Sequence, residues 1–392
     1  MAPRGDDELA PGGDDAAWGR RWLRALMPSL LVYAAFLTLF EAARLLEYDP
    51  FSSLWFPPGA LTAAAFLVFG TRALPAIAAA CVTASALTYV RIGLGHDIAG
   101  MLFNGLMFTL SHATSFALVA WWVARSLRSG GAPSMGRLVT AFLVGGMVGS
   151  MLAAVLGALG TMASGLVQPD EVPGLLFPWL IGDYTGLVTL GPLLFLTLRN
   201  IAVKSGVRVP AALFVLDGLP RPPRDLRSFV AKLLLVLGVV TAALLLVDHF
   251  PHQEPVMVAV FFAIVLQLWI VHTQSMREAL VSIAAFAVLV ALLVRVLGLG
   301  EHALVLQFAI ISLAASSYYG MAVPMLYADN AQLRQLLIRD ALTGAYSRHF
   351  FVELSQQAIR QAHATVRPVS MLMIDVDHLK DVNDRHGHAA GD

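Results

Sequence analysis

The sequence predicts an α-helical polytopic membrane domain followed by a short α/β domain. Three observations carry this reading. Of the 392 residues, 58% are apolar. Only 13% are charged, 26 basic and 26 acidic, against about a quarter in soluble domains. The charge is also uneven, because residues 327–392 alone hold 7 basic and 8 acidic groups. A chain so poor in polar groups cannot cover a globule with polar surface, which excludes an ordinary cytosolic enzyme over most of the length. The zero net charge argues against nucleic acid as a partner, since no large basic field is present to hold it. A single cysteine, Cys81, excludes a disulfide scaffold and a thiolate metal cluster. Its apolar surroundings, Ala78 to Val82, mark it as a packed membrane-helix residue.

Residues 1–21 are polar, acidic and interrupted by Gly and Pro, and they read as a disordered tail rather than a signal peptide. The membrane domain occupies 22–325. A spanning helix needs about 20 mostly apolar residues. Ten segments qualify: 22–40, 53–70, 73–92, 99–124, 138–160, 174–197, 229–247, 256–272, 279–297 and 303–324. The second opens on Pro57-Pro58-Gly59, and only Gly70-Thr71-Arg72 separates it from the third. These two are therefore either spans or a helical hairpin that does not fully cross, which gives eight to ten spans.

With the N-terminus inside, the inner segments hold 16 basic residues and the outer ones 3: Arg44, Arg91 and Arg295. Basic loops stay on the cytoplasmic side, so both termini are expected in the cytoplasm. The run Leu219-Pro220-Arg221-Pro222-Pro223-Arg224 reads as a cytoplasmic linker between six-helix and four-helix parts, its basic groups facing anionic headgroups. Gly145, Gly146, Gly149, Gly157 and Gly160 offer close-packing surfaces.

Polar side chains are costly inside spans, which makes them functional candidates. Asp183 lies well within the sixth span and is either a structural carboxyl or a working one. Asn104 and His112, eight residues apart in the fourth span, fall on roughly one face. Helix–helix hydrogen bonds are the preferred reading for them, with a ligand site as the alternative. The segments Leu54-Trp55-Phe56-Pro57-Pro58-Gly59-Ala60-Leu61 and Phe69 to Pro75, with Trp179 to Pro192 and its Gly182-Asp183-Tyr184-Thr185-Gly186, resemble the membrane-associated sensor (MASE-type) domain of bacterial signalling proteins. That resemblance implies a sensory input module over about 22–325. Asp183, His112 and Asn104 are then its candidate sensory residues, and the bacterial inner membrane its location.

Residues 326–339 continue the last span as a signalling helix. Leu326, Leu333 and Leu337 are spaced by seven and four, a heptad seam. Gly344 breaks the helix, and 347–363 reads as an amphipathic helix with Phe351, Leu354, Ala358, Ile359 and Ala362 on one side. Val369 to Ile374 is an apolar run that suits a strand buried on both faces. It ends in Asp375-Val376-Asp377-His378-Leu379-Lys380. Carboxylates at a strand end suit Mg²⁺, although Asp375 and Asp377 would point to opposite faces of a continuing strand.

The whole string, Asp340-Ala341-Leu342-Thr343-Gly344, then Asp375-Val376-Asp377-His378-Leu379-Lys380-Asp381-Val382-Asn383-Asp384, then Gly387-His388-Ala389-Ala390-Gly391-Asp392, resembles the GGDEF diguanylate cyclase domain. The match covers 340–392, the N-terminal part of that domain. It departs from the usual pattern at Ala345 to His349 and at Leu379, where the family usually has Phe. Ser347 can still cap the next helix. The resemblance implies a palm-like nucleotidyl-cyclase fold that condenses two GTP into cyclic di-GMP. It also implies Mg²⁺ or Mn²⁺ as cofactor and a homodimer formed through the signalling helix and cyclase domain. By the same resemblance Asp375, with its carboxylate, and Val376, with its carbonyl, would hold the metal. Leu379 and Lys380 would lie by the phosphates, and Asn383, His388 and Asp392 would meet the guanine. The signature loop of the family is not within 1–392, so the catalytic residues stay unassigned. The chain is expected to be a fragment or a truncated gene that is inactive alone. A non-catalytic membrane receptor and a transporter using Asp183 are the alternatives.

Overall fold

The computed structural model describes residues 13–49, 52–128, 135–207, 209–211, 213–214, 225–249, 258–338 and 343–391. The chain divides into two compact units, Met1–Val323 and Pro324–Asp392.

In the first unit α1 (Gly13–Leu45) leads through a short hairpin, β1 (Glu47–Asp49) and β2 (Ser52–Ser53), into α2 (Pro58–Phe69). A 3₁₀ turn at Gly70–Ala73 joins α2 to α3 (Leu74–Arg91). The bundle continues with α4 (Ile98–Arg128), α5 (Met135–Ala163), α6 (Val172–Lys204) and α7 (Leu226–His249). It closes with α8 (Ala263–Thr273), α9 (Met276–Leu297) and the first part of α10 (Ala303–Ile338), a helix whose residues after Val323 belong to the second unit. Among the described residues, eight helices are long and apolar enough to cross a membrane, counting Pro58–Arg91 as one stretch. This is the lower end of the expected range.

Two of the ten expected segments differ. The reading at 256–272 gives the shorter apolar helix Ala259–Thr273, its first part 3₁₀. The reading at 53–70 gives α2, whose 12 residues extend only about 18 Å, too short for a hydrocarbon core of about 30 Å. The reason is the chain before it. Residues 52–57 turn into the bundle and reach the middle of α6, where the Phe56 N–H donates to the Gly182 carbonyl at 3.0 Å. From there α2 runs down beside α6, and Gly70, at φ +61°, turns the chain back into α3.

Non-helical backbone at membrane depth is tolerated only where protein covers it and supplies its hydrogen bonds. Here it does. Leu54 is fully buried and Trp55 nearly so. Ser53 Oγ donates to the Ala43 carbonyl at 2.9 Å, and the Trp55 indole N–H donates to Thr189 Oγ1 at 2.9 Å. The Leu54 carbonyl accepts from Gln307 Nε2 on α10 at 3.1 Å.

Contacts fix which helix ends lie together. Arg91 at the end of α3 meets Glu41 near the end of α1 at 2.7 Å. Arg295 lines a surface recess with Tyr48, Gly300 and Glu301, so the outer basic residues of the sequence reading gather at one end. At the opposite end, Leu127, Met135, Leu213, Met276 and Met321 line one apolar groove, and Lys232 Nζ donates to Thr273 Oγ1 at 2.7 Å. These contacts place Arg44, Arg91 and Arg295 towards one end of the bundle and Lys232 towards the other.

Glycines bring α4 and α5 together as expected. A Cβ on Gly149 would lie 2.2 Å from a Val119 methyl, and one on Gly160 would lie 2.9 Å from Met107 Cβ. Cys81 is a free, buried thiol. The start of α9 is held by a capping box, with Ser275 and Glu278 each bonding the other's backbone N–H. Residues 215–224, which carry the proline-rich linker, and the tail before residue 13 lie outside the described residues.

In the second unit α11 (Arg348–Thr365) begins at Ser347, whose Oγ accepts from the Phe350 N–H at 3.3 Å. This is the cap expected from the sequence. Two short helices follow, α12 (Leu379–His386) and α13 (His388–Gly391). The expected strand at 369–374 is not formed: the segment is irregular, with Leu372 81% and Ile374 82% exposed. A strand exists by pairing, and among the described residues of this unit no segment lies alongside to supply the ladder. The apolar side of α11 is uncovered for the same lack, with Phe351, Leu354 and Ile359 exposed.

Candidate functional site

The first unit holds a cavity of about 420 Å³, within the size range of small-molecule sites. It is bounded by α1, α3, α4, α5, α6 and the inserted segment 52–57. Asn104, His112 and Asp183 all line it. The structure thus brings together the three polar residues that the sequence singled out.

Local sequence explains the placement of Asp183. The spacing Gly182-Asp183-Tyr184-Thr185-Gly186 removes side chains on both sides of the carboxyl. A Cβ at Gly182 would lie 2.6 Å from the Ser53 carbonyl oxygen, and one at Gly186 would lie 2.2 Å from that of Phe56. The inserted segment therefore packs on the bare backbone of α6, and Asp183 lies beside it at 8% exposure. Its Oδ1 has no hydrogen-bond partner among the described residues.

His112 is 2% exposed. Its ring packs edge-on against Phe36, Phe56, Phe108 and Phe116, with centroids 4.8 to 6.3 Å away. Its Nε2 has no hydrogen-bond partner among the described residues. Asn104 Nδ2 donates to Ser85 Oγ at 2.9 Å, the helix–helix bond preferred from the sequence.

At the bundle end the cavity wall carries Arg44, Glu47 and Arg91. Both arginines share Glu41, at 3.0 and 2.7 Å. Burial holds the Glu47 carboxyl above the usual carboxylate range, against the pull of Arg44 and Arg91. Sequence reading missed Ser53, Phe56 and Trp179 as cavity wall. The paired glycines at 182 and 186 were the available signal, since they mark a close approach without naming what approaches.

The second unit places its expected residues in one short stretch. The Asp375 carboxylate accepts from the Val376 N–H at 2.9 Å. His378, at φ +57°, turns the chain into α12, which carries Leu379, Lys380 and Asn383. Asn383 Oδ1 is buried and has no partner among the described residues. His388 is exposed on α13, and Asp392 lies outside the described residues. No group of three or more His, Cys, Asp or Glu suited to a metal ion occurs among the described residues. Asp375 and Val376 still offer a carboxylate and a carbonyl side by side, the hard oxygen donors that Mg²⁺ takes.

Residues 24–325 match the MASE1 family. The chain belongs to the MASE1 family. Behind the MASE1 domain, residues 337–392 match the family described as diguanylate cyclase, GGDEF domain. Over 64 residues the chain is 41% identical to the diguanylate cyclase TpbB of Pseudomonas aeruginosa, covering 16% of this chain and 15% of that protein. It is 38% identical over 53 residues to the diguanylate cyclase DgcS of Shewanella oneidensis, covering 14% and 18%. Diguanylate cyclase A of Treponema denticola is 36% identical over 67 residues, covering 16% and 18%. The chain thus spans less than a fifth of the length of these curated relatives. No solved structure matches.

Proposed function

We propose that the chain is the sensory and N-terminal cyclase portion of an inner-membrane diguanylate cyclase, in which a stimulus received by the MASE1 domain sets the condensation of two GTP into cyclic di-GMP. The observation that carries this is α10. A single helix, Ala303–Ile338, starts in the bundle, where Gln307 bonds the cavity-lining segment, and ends where the GGDEF match begins, at residue 337.

Both termini face the cytoplasm in this reading, because GTP is there and the basic residues gather at the matching end of the bundle. The boundaries are a tail at 1–21, the sensor at 22–325, a signalling helix at 326–339 and the GGDEF portion from 340. Leu326, Leu333 and Leu337 would pair two copies. Asp375 and the Val376 carbonyl would hold Mg²⁺ or Mn²⁺; when bound, the ion supplies positive charge against the triphosphates. The buried, unpartnered Asn383 Oδ1 would accept from a guanine N–H, with His388 and Asp392 at the same base. Leu379 and Lys380 would lie by the phosphates, where the Lys380 ammonium is a point charge suited to them.

The test uses membranes containing this chain with its GGDEF domain continued through the signature loop. Labelled GTP should give cyclic di-GMP and pyrophosphate, and labelled ATP should give no cyclic product. Failure to convert GTP would overturn the reading.

A further inference from the structure

The cavity of the MASE1 domain presents two buried polar atoms, Asp183 Oδ1 and His112 Nε2, each without a partner among the described residues. Both residues are more than nine-tenths buried, and both line the same space. Asp183 makes no ion pair or side-chain hydrogen bond among the described residues. Arg44 and Arg91, the arginines on the same wall, are engaged by Glu41. Buried polar atoms are nearly always satisfied, so each exception needs a reason.

The wall chemistry states what would satisfy them. An unpartnered carboxylate oxygen and an imidazole nitrogen can both take up a donor, and a carboxylate without a basic partner calls for positive charge. The wall also carries the aromatic rings of Phe40, Phe56, Phe108 and Trp179, and ring faces attract cations. A quaternary ammonium has the charge and no N–H. A hydroxyl has one donor and no charge. A primary ammonium has three N–H donors and the charge together. We infer that this cavity binds a small primary amine, with its ammonium on Asp183 and His112 and its apolar body against the aromatic wall. The same head group occurs on a free amine and on phosphatidylethanolamine.

This deepens the sensory reading of the MASE1 domain and rests on it only for the meaning of binding. The assay uses no nucleotide, so it fails or succeeds separately from the cyclase reading. The 392-residue chain is placed in phosphatidylcholine nanodiscs, which carry no primary amine. Labelled phenethylamine is then equilibrated across a dialysis membrane, with empty nanodiscs subtracted. The expected result is saturable binding, at least about tenfold tighter than that of 2-phenylethanol or trimethylphenethylammonium as competitors. Asp183→Asn should weaken it at least about tenfold. Where that variant does not fold, the ranking of the three probes on the wild type decides the matter. Added phosphatidylethanolamine that competes assigns the amine to lipid; absence of competition assigns it to a free amine. No saturable binding, equal binding of all three probes, or unchanged affinity in folded Asp183→Asn would overturn the proposal.

Discussion

At the scale of single residues, the informative positions are those whose surroundings leave no slack. Glu47 has its carboxyl pushed up by burial. A carboxyl raised in the folded state is accommodated when neutral. The stability it allows is complete below the ordinary Glu value, about 4.3, and is lost as pH rises through the raised value. Glu47→Gln should therefore melt higher than the wild type at pH 7, and the two should converge near pH 4. A difference of equal size at both pH values would place the effect elsewhere. Asn383 carries the second residue prediction. On the proposed reading that Asn383 Oδ1 accepts from guanine, Asn383→Ala in a chain with a complete GGDEF domain should raise the KM for GTP about tenfold. That corresponds to one lost hydrogen bond at a buried site of about 1–3 kcal/mol. An unchanged KM would remove Asn383 from the guanine contact. The expectation for Asn383 came from the resemblance of the whole Asp375 to Asp392 string to the GGDEF family, whereas nothing in the sequence pointed to Glu47. The orphaned state of Asp183 and His112 was not legible, since it depends on which other helices fail to supply a partner.

At the scale of elements, the apolar runs gave the long helices, and the glycine spacings gave the close contacts between α4 and α5. The inserted segment 52–57 was not legible. Leu54 to Leu61 is apolar whether it spans or turns inward, and the hydrogen bonds that permit the turn come from Ala43, Gly182, Thr189 and Gln307, all distant in sequence except Ala43. The strand at 369–374 was misjudged for the complementary reason: its composition suits a buried strand, but pairing is supplied by neighbours and not by the segment itself. The contact between α6 and the inserted segment is testable. Gly186→Ala puts a carbon 2.2 Å from the Phe56 carbonyl oxygen, while the adjoining Phe56 N–H is already bonded to α6. The variant should lose about 1–3 kcal/mol, the usual cost of overpacking. Gly136→Ala, with nothing within 4 Å of the new carbon, should be neutral or stabilising by up to about 1 kcal/mol, the helix-propensity gain. Equal melting of the two variants would contradict the inserted geometry.

At the scale of the whole molecule, the basic residues of the sequence predict one sidedness, and the contacts group Arg44, Arg91 and Arg295 at one end of the bundle. Reporter fusions after Glu171 should read as outside the cytoplasm, and fusions after Arg224 as inside; the reverse pattern would contradict the topology. In the proposed topology the part of the cavity wall that carries Arg44, Glu47 and Arg91 belongs to the outer end of the bundle. Within the bundle α10 is bonded to the inserted segment through Gln307 and to α6 through Tyr318 and the Val188 carbonyl. The most direct test of a membrane sensor governing a cyclase is cyclic di-GMP synthesis by membranes of three proteins matched in amount, each with its GGDEF domain continued through the signature loop. Wild type should make product, and Asp375→Asn should fall to background, because an amide lacks the charge to hold the metal. Asp183→Asn should still turn over GTP, at a rate shifted at least about fivefold, the lower end of ordinary coupling between sites. Wild-type synthesis in all three would contradict both the metal role of Asp375 and the control exerted from the membrane.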